Sequence, residues 1–334
     1  MRSSLLVTLA IALSTSVATL TERPRHLSQD AALSVFATVP GAQNLENLAL
    51  RHNGDIVVTS LGSATLHLVS STGRHVAAIA NIPGASGLTG IAQLERDVFY
   101  VASANVTGST PIALGTNAVW KVDLRELEIA KDNTISKPTK ISLVTEIPSV
   151  GLLNGMTRLS STNTSLLLLS DSALGRVLLL NVNTKEYETV IQDETTAGLP
   201  ERPVAVNGLR TYGHELFYVN QARNLFARVP ISTSTGRPNG PPQVIVNDTV
   251  PFADDFSLSL DGKRAWIALN SQNVIVEVDI HARTSNVIIN STELGEGSSV
   301  ALVPGKSESQ RLYVTGSSVV QNASIGTIFK VDTY

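Results

Sequence analysis

Six polar residues, Glu46, Thr89, Asn154, Asn207, Asp254 and Ser298, stand at the same place in six similar stretches of the chain. The stretch that sets the pattern is NLENLALRHNGDIVVTS, residues 44–60, in which Glu46 stands before an apolar run and eight places before the turn glycine, Gly54. Brought to one point, two carboxylates and two amide carbonyls form a hard, oxygen-only site with two negative charges. Such a site suits Ca2+ or Mg2+, whereas zinc favours His or Cys ligands. The candidate ligands are therefore Glu46, Asn154, Asn207 and Asp254, with Thr89 and Ser298 completing a substrate-facing ring. Glu46 and Asp254 are also the candidates for acid and base work, on a bound water or on a leaving group. A ring of polar residues can equally hold water alone.

Other chemistries find less support. No G-x-S-x-G motif is present, which disfavours a serine esterase. There is no Gly-rich phosphate loop and no dinucleotide fingerprint. None of the six histidines occupies one of the six recurring positions, which disfavours a histidine-based lactonase. With a formal net charge of −3, the chain offers no basic surface for nucleic acid.

The elements that must position the six residues follow from their spacing. Successive positions are 43, 65, 53, 47 and 44 residues apart, and the intervals hold short strand-like runs and turns. A period in the forties built in this way is that of a propeller blade. A second feature keeps step with the first: later strands end at VWKVD (Asp123), VLLLN (Asn181), FARVP (Pro230), IVEVD (Asp279) and IFKVD (Asp332), with a looser TLHLV at Val69. The expected fold is an all-β, six-bladed propeller over residues 32–334, with the six residues around the mouth of its axial channel. The sixth unit runs out of sequence before its fourth strand. The run Ala32–Val39, which has no hairpin partner, is expected to supply that strand and close the ring, removing exposed sheet edges.

Residues 1–18 have the cation, apolar stretch and small residues of a secretory leader, and the stretch from Leu5 to Leu13 is too short to span a membrane. A polar linker, 19–31, follows. Sequons at Asn105, Asn163, Asn247, Asn290 and Asn322 agree with passage through the secretory pathway, and the chain has no cysteine. Long connections at 103–117 and 125–139 belong to opposite faces of the second blade, the first on the face of Glu46. Leu88, Leu152, Leu153, Phe252 and Phe256 lie near the ring and either wall an apolar pocket or pack between blades.

The chain resembles the senescence-marker-protein/gluconolactonase family over essentially its whole mature length. In that family a divalent ion sits on the axis, held by residues that match Glu46, Asn154, Asn207 and Asp254 in type and order. Asp255 stands where the family usually has Gly, so either aspartate could face inward. Asp254 keeps the eight-residue spacing to Gly262 and is the one assigned to the axis. The wording around Glu46 resembles more narrowly a branch of fungal secreted propellers that includes hetero-Diels-Alderases, which join a tropolone-derived quinone methide to a humulene-type sesquiterpene. That resemblance implies a biosynthetic cyclase acting on apolar small molecules. The wider family implies a metal-dependent lactonase, and a non-catalytic binding propeller is the third expectation.

Overall fold

A computed structural model describes residues 31–105, 115–130, 132–305 and 310–333. The expected leader (1–18), linker residues 19–30 and the centre of the 103–117 connection lie outside the described residues.

The architecture is the expected propeller: six four-stranded antiparallel sheets, each one blade. In the first, Leu45–Leu50 is innermost and is followed outward by Ile56–Ser60, Ser63–Val69 and Val76–Asn81. The innermost strands of the next five blades are Gly87–Glu95, Leu153–Arg158, Val206–Tyr212, Ala253–Leu258 and Val300–Val303. The second strands read as unbroken apolar runs, such as IVVTS at 56–60, because both of their faces are buried. Among the described residues the buried apolar side chains fall into six clusters, one at each junction between neighbouring blades. Each fully buried Leu, Val or Phe there contributes ~1.5–3 kcal/mol. The core is therefore a ring of six interfaces around a polar channel.

Closure follows the expected plan. Ala31–Val39 pairs antiparallel with Ala323–Thr333 and becomes the outermost strand of the sixth blade. A second seam lies beside the axis, where Thr315 of blade six donates from Oγ1 to the carbonyl of Glu46 in blade one at 2.6 Å. The same device joins blades one and two through Thr59 Oγ1 and the Thr89 carbonyl, also at 2.6 Å. The 125–139 connection forms a small hairpin, Glu128–Ile129 with Ile135–Lys137, on the face opposite Glu46.

Candidate active site on the propeller axis

The six recurring residues mark a repeated backbone irregularity. In blades one to five the ladder between first and second strands slips by one residue at this position, two residues of the first strand facing one of the second: Leu45 pairs with Ser60 but Leu48 with Val58, and the same happens at 88/91, 153/156, 206/209 and 253/256. Each slip frees two adjacent residues from the ladder, as a bulge does. The first of each pair is the ring residue. The second presses against the next blade, and where it is glycine the reason is measurable: a Cβ on Gly90 would lie 2.1 Å from the Asn154 carbonyl, and one on Gly155 2.2 Å from that of Asn207. The Asn-Gly pairs at 154–155 and 207–208 thus combine a ring side chain with a close approach between blades.

All six ring residues are buried. Thr89 spends its hydroxyl on the Leu153 carbonyl at 2.8 Å, which ties it to the next blade. Ser298 donates to the Glu296 carbonyl at 3.3 Å. Asn207 Nδ2 donates to Asp254 Oδ1 at 2.6 Å, and Asn270 Nδ2 donates to Asp254 Oδ2 at 2.9 Å. Among the described residues the Glu46 carboxyl has no hydrogen-bond or ion-pair partner, and the buried Oδ1 of Asn154 has none either.

The choice between the two aspartates is resolved by their contacts. Asp255 is turned into the blade junction, where its Oδ2 accepts from Arg210 Nη2 at 2.7 Å and from Ser299 Oγ at 2.5 Å. Its Oδ1 occupies the place a Cβ on Gly208 would need. Asp254 keeps the place in the ring. Burial pushes its carboxyl up to about 7, helped by the nearby charge of Asp255 and opposed by the two amide donors. Burial likewise holds Glu46 well above the usual carboxylate range, with Asp254 and Asp255 adding to the effect.

The carboxyl of Glu46 and the unpaired buried Oδ1 of Asn154, with Asn207 and Asp254, are the hard oxygen donors a divalent cation takes. Among the described residues no three His, Cys, Asp or Glu side chains group closely enough to hold a metal. The amides of Asn154 and Asn207 would therefore have to complete any such site.

Two of the proposed apolar wall residues lie at the ring face. Leu152 is half-buried, and Phe252 is 37% exposed, with backbone φ of 56° and the Arg202 guanidinium 4.8 Å from its ring centre. Leu174, in a turn on the same face, is also exposed. Leu88, Leu153 and Phe256 are instead fully buried in the junction clusters and wall no pocket, because the frame that exposes the ring residue turns these neighbours between blades. Asn270 escaped the sequence reasoning. It follows the second strand of blade five, where other blades carry Leu61, Ser172 and Gln221, so no repeat pointed to it.

Of the sequon asparagines, Asn247, Asn290 and Asn322 are exposed, whereas Asn105 and Asn163 are half-buried. By the strand directions all but Asn163 stand on the ring face.

No family model matches the chain, and no curated protein matches it. Solved structures do. A luciferin-regenerating enzyme superposes with a TM-score of 0.62 at 14% identity, over 90% of this chain and 95% of the other. Regucalcin from Agrobacterium tumefaciens, a calcium-binding protein, gives 0.59 at 16% identity over 90% and 94%. A streptogramin B lyase gives 0.57 at 15% identity over 91% and 98%. These are likenesses of fold.

Proposed function

We propose that this chain is an enzyme acting on small, largely apolar molecules at its axial ring, and that the reaction is a hetero-Diels-Alder cyclisation. The partners would be a tropolone-derived quinone methide and a humulene-type sesquiterpene. The observation that carries the reading is the pair Glu46 and Asp254. Both are buried carboxyls held above the usual range, at a mouth edged by Leu152, Leu174 and Phe252. A neutral, desolvated carboxylic acid is suited to general-acid work.

In this course Glu46 gives its proton to the departing hydroxyl of a hydroxymethyl-tropolone as the C–O bond breaks. Asp254, available in both forms near neutral pH, takes the proton of the ring hydroxyl. Water leaves and the quinone methide remains. Its O=C–C=C unit then adds across one C=C of the sesquiterpene, forming one C–O and one C–C bond in a dihydropyran ring. Passage of the proton from Asp254 to Glu46 resets the pair. For the addition itself the protein has only to hold both partners in reactive orientation. The resemblance of residues 44–60 to the fungal branch supports this substrate pair.

A second reading is favoured by a different observation, the buried Oδ1 of Asn154, which has no partner among the described residues, in a ring that also carries the Glu46 carboxyl. With Asn207 and Asp254 they would hold Ca2+ or Mg2+, which when bound polarises a lactone carbonyl and acidifies water. Asp254 would then accept a proton from the attacking water, and Asn207 would keep that carboxylate oriented. We further propose passage through the secretory pathway, supported by the leader-like residues 1–18 and the five sequons.

The test is an assay of the glycosylated protein with a hydroxymethyl-tropolone and a humulene-type alcohol, beside a lactone panel, each with and without chelator. A dihydropyran adduct above background, reduced in Glu46→Gln, supports the cyclase. Chelator-sensitive lactone opening without adduct replaces it by the lactonase. Saturable binding without turnover of either leaves a binding propeller.

A further inference from the structure

The innermost strands have two ends, and only one carries the ring. Leu50, at the far end of the strand that begins beside Glu46, stands roughly 13 Å from it along the strand. There, on the opposite face, the structure opens a cavity of about 720 Å3, a volume of the size that encloses small molecules. Its wall is drawn from the ends of strands in blades one, two, three and six, so it spans the other mouth of the axial channel.

Four arginines line it: Arg51, Arg96, Arg158 and Arg311. Two are engaged with carboxylates. Arg51 donates from Nε to Asp97 at 2.8 Å and from Nη1 to Asp55 at 3.5 Å, and Arg311 from Nε to Asp332 at 2.7 Å. Arg96 and Arg158 are exposed and have no carboxylate partner among the described residues. Glu95 also lies on the wall, and His52 stands 3.4 Å from Asp97. The four arginines are balanced in formal charge by Asp55, Asp97, Asp332 and Glu95, but Arg96 and Arg158 are the two guanidinium groups at this concavity that no carboxylate of the described residues holds. Arginine presents a planar fork of N–H donors that matches a carboxylate or phosphate. The rest of the wall includes Leu94, Val303, Pro304 and Tyr313, which suits a hydrocarbon body rather than a bare ion.

We propose that this opposite mouth is a second binding site, for a small organic anion with a carboxylate or phosphate head and an apolar body. The head is held by Arg96 and Arg158, while Arg51 is kept in place on the wall by its two aspartates. The site is separate from the axial ring and does not depend on what the ring does.

The experiment is calorimetric titration of the full-length glycosylated protein at fixed ionic strength with hexyl phosphate, hexanoate, hexanol and inorganic phosphate. At least one of the two organic anions binds one to one, and at least tenfold tighter than hexanol or inorganic phosphate. The tighter of the two identifies the preferred head. The double variant Arg96→Gln/Arg158→Gln weakens that binding at least tenfold, and its thermal midpoint without ligand matches the unmodified protein. Pro304→Glu, which sets a carboxylate at the exposed rim, weakens it independently. Glu46→Gln leaves it unchanged. The proposal is overturned if neither anion binds, if hexanol binds as well as the anions, or if both arginine and Pro304 variants bind as the unmodified protein does.

Discussion

Asp254→Asn is expected to stabilise the protein, increasingly so as the pH rises from about 4 to about 7. The aspartate is buried, faces the charge of Asp255, and titrates near 7 instead of the ordinary 3.8. At ~1.4 kcal/mol per pH unit, ionising it in the folded state costs ~4 kcal/mol more than in the unfolded chain. Below about pH 4 both states hold the proton and the penalty is absent. Between about 4 and 7 the unfolded chain releases its proton while the folded one retains it, so stability falls as pH rises. Above about 7 the full penalty is present and the curve flattens. Asparagine is an isostere of the neutral acid. Asn207 and Asn270 donate to the two oxygens of Asp254, and one of them would meet an N–H in the variant, as it meets an O–H in the protonated acid. The variant should therefore lie within ~1 kcal/mol of the unmodified protein at about pH 4 and gain up to ~4 kcal/mol at pH 8. Urea unfolding in chelator, followed by the fluorescence of Trp120 and Trp266, measures both. Equal or lower stability of the variant at pH 8, with an unchanged pH slope, refutes the reasoning. Added Ca2+ should raise the unmodified protein at pH 8 and the variant much less, because a cation would offset the same charge.

Three further outcomes follow from the packing. Gly155→Ala sets a Cβ 2.2 Å from a backbone carbonyl of the next blade and should cost ~3 kcal/mol or more in chemical denaturation; Gly62→Ala, where nothing lies within 4 Å, is the neutral control. Thr315→Val removes the donor to the Glu46 carbonyl and the acceptor of the Ser299 N–H, so ~1–3 kcal/mol should be lost, read by the same assay. Enzymatic removal of N-glycans from protein made in a eukaryotic secretory host should lower its apparent mass on a gel, and Asn322→Gln, at an exposed hairpin turn, should remove one step of that shift without changing the thermal midpoint.

The blades were legible because their repeat is a matter of local chemistry. Asn53-Gly54 turns and apolar runs such as IVVTS recur in step, and the missing fourth strand of blade six demanded the run that follows the linker. The ring residues were legible for a related reason: five of the six occupy a fixed place in a repeated bulge. The bulge itself was not, since slippage of a ladder depends on the partner strand and leaves no local signature. Nor could sequence separate Leu152, which faces the mouth, from Leu153, which is buried between blades; one residue of register reverses the side on which a chain points. Asn270 reaches Asp254 only through the fold. The cavity of the opposite face was equally hidden, because its arginines come from four blades with no common spacing.

The pairing of Ala31 with Thr333 has a consequence for the order of events in synthesis. The strand that completes the sixth blade is among the first parts of the domain to be made, and its partner is the last. Until the last strand of the domain has been made, that strand waits without a template while five blades accumulate behind it, and the closing contacts span nearly the whole domain. Such long-range closure is slow, and a chain halted early presents an open edge at each end of an incomplete arc. With no cysteine to lock partial structures covalently, the nascent protein depends on whatever holds it soluble until its two ends meet.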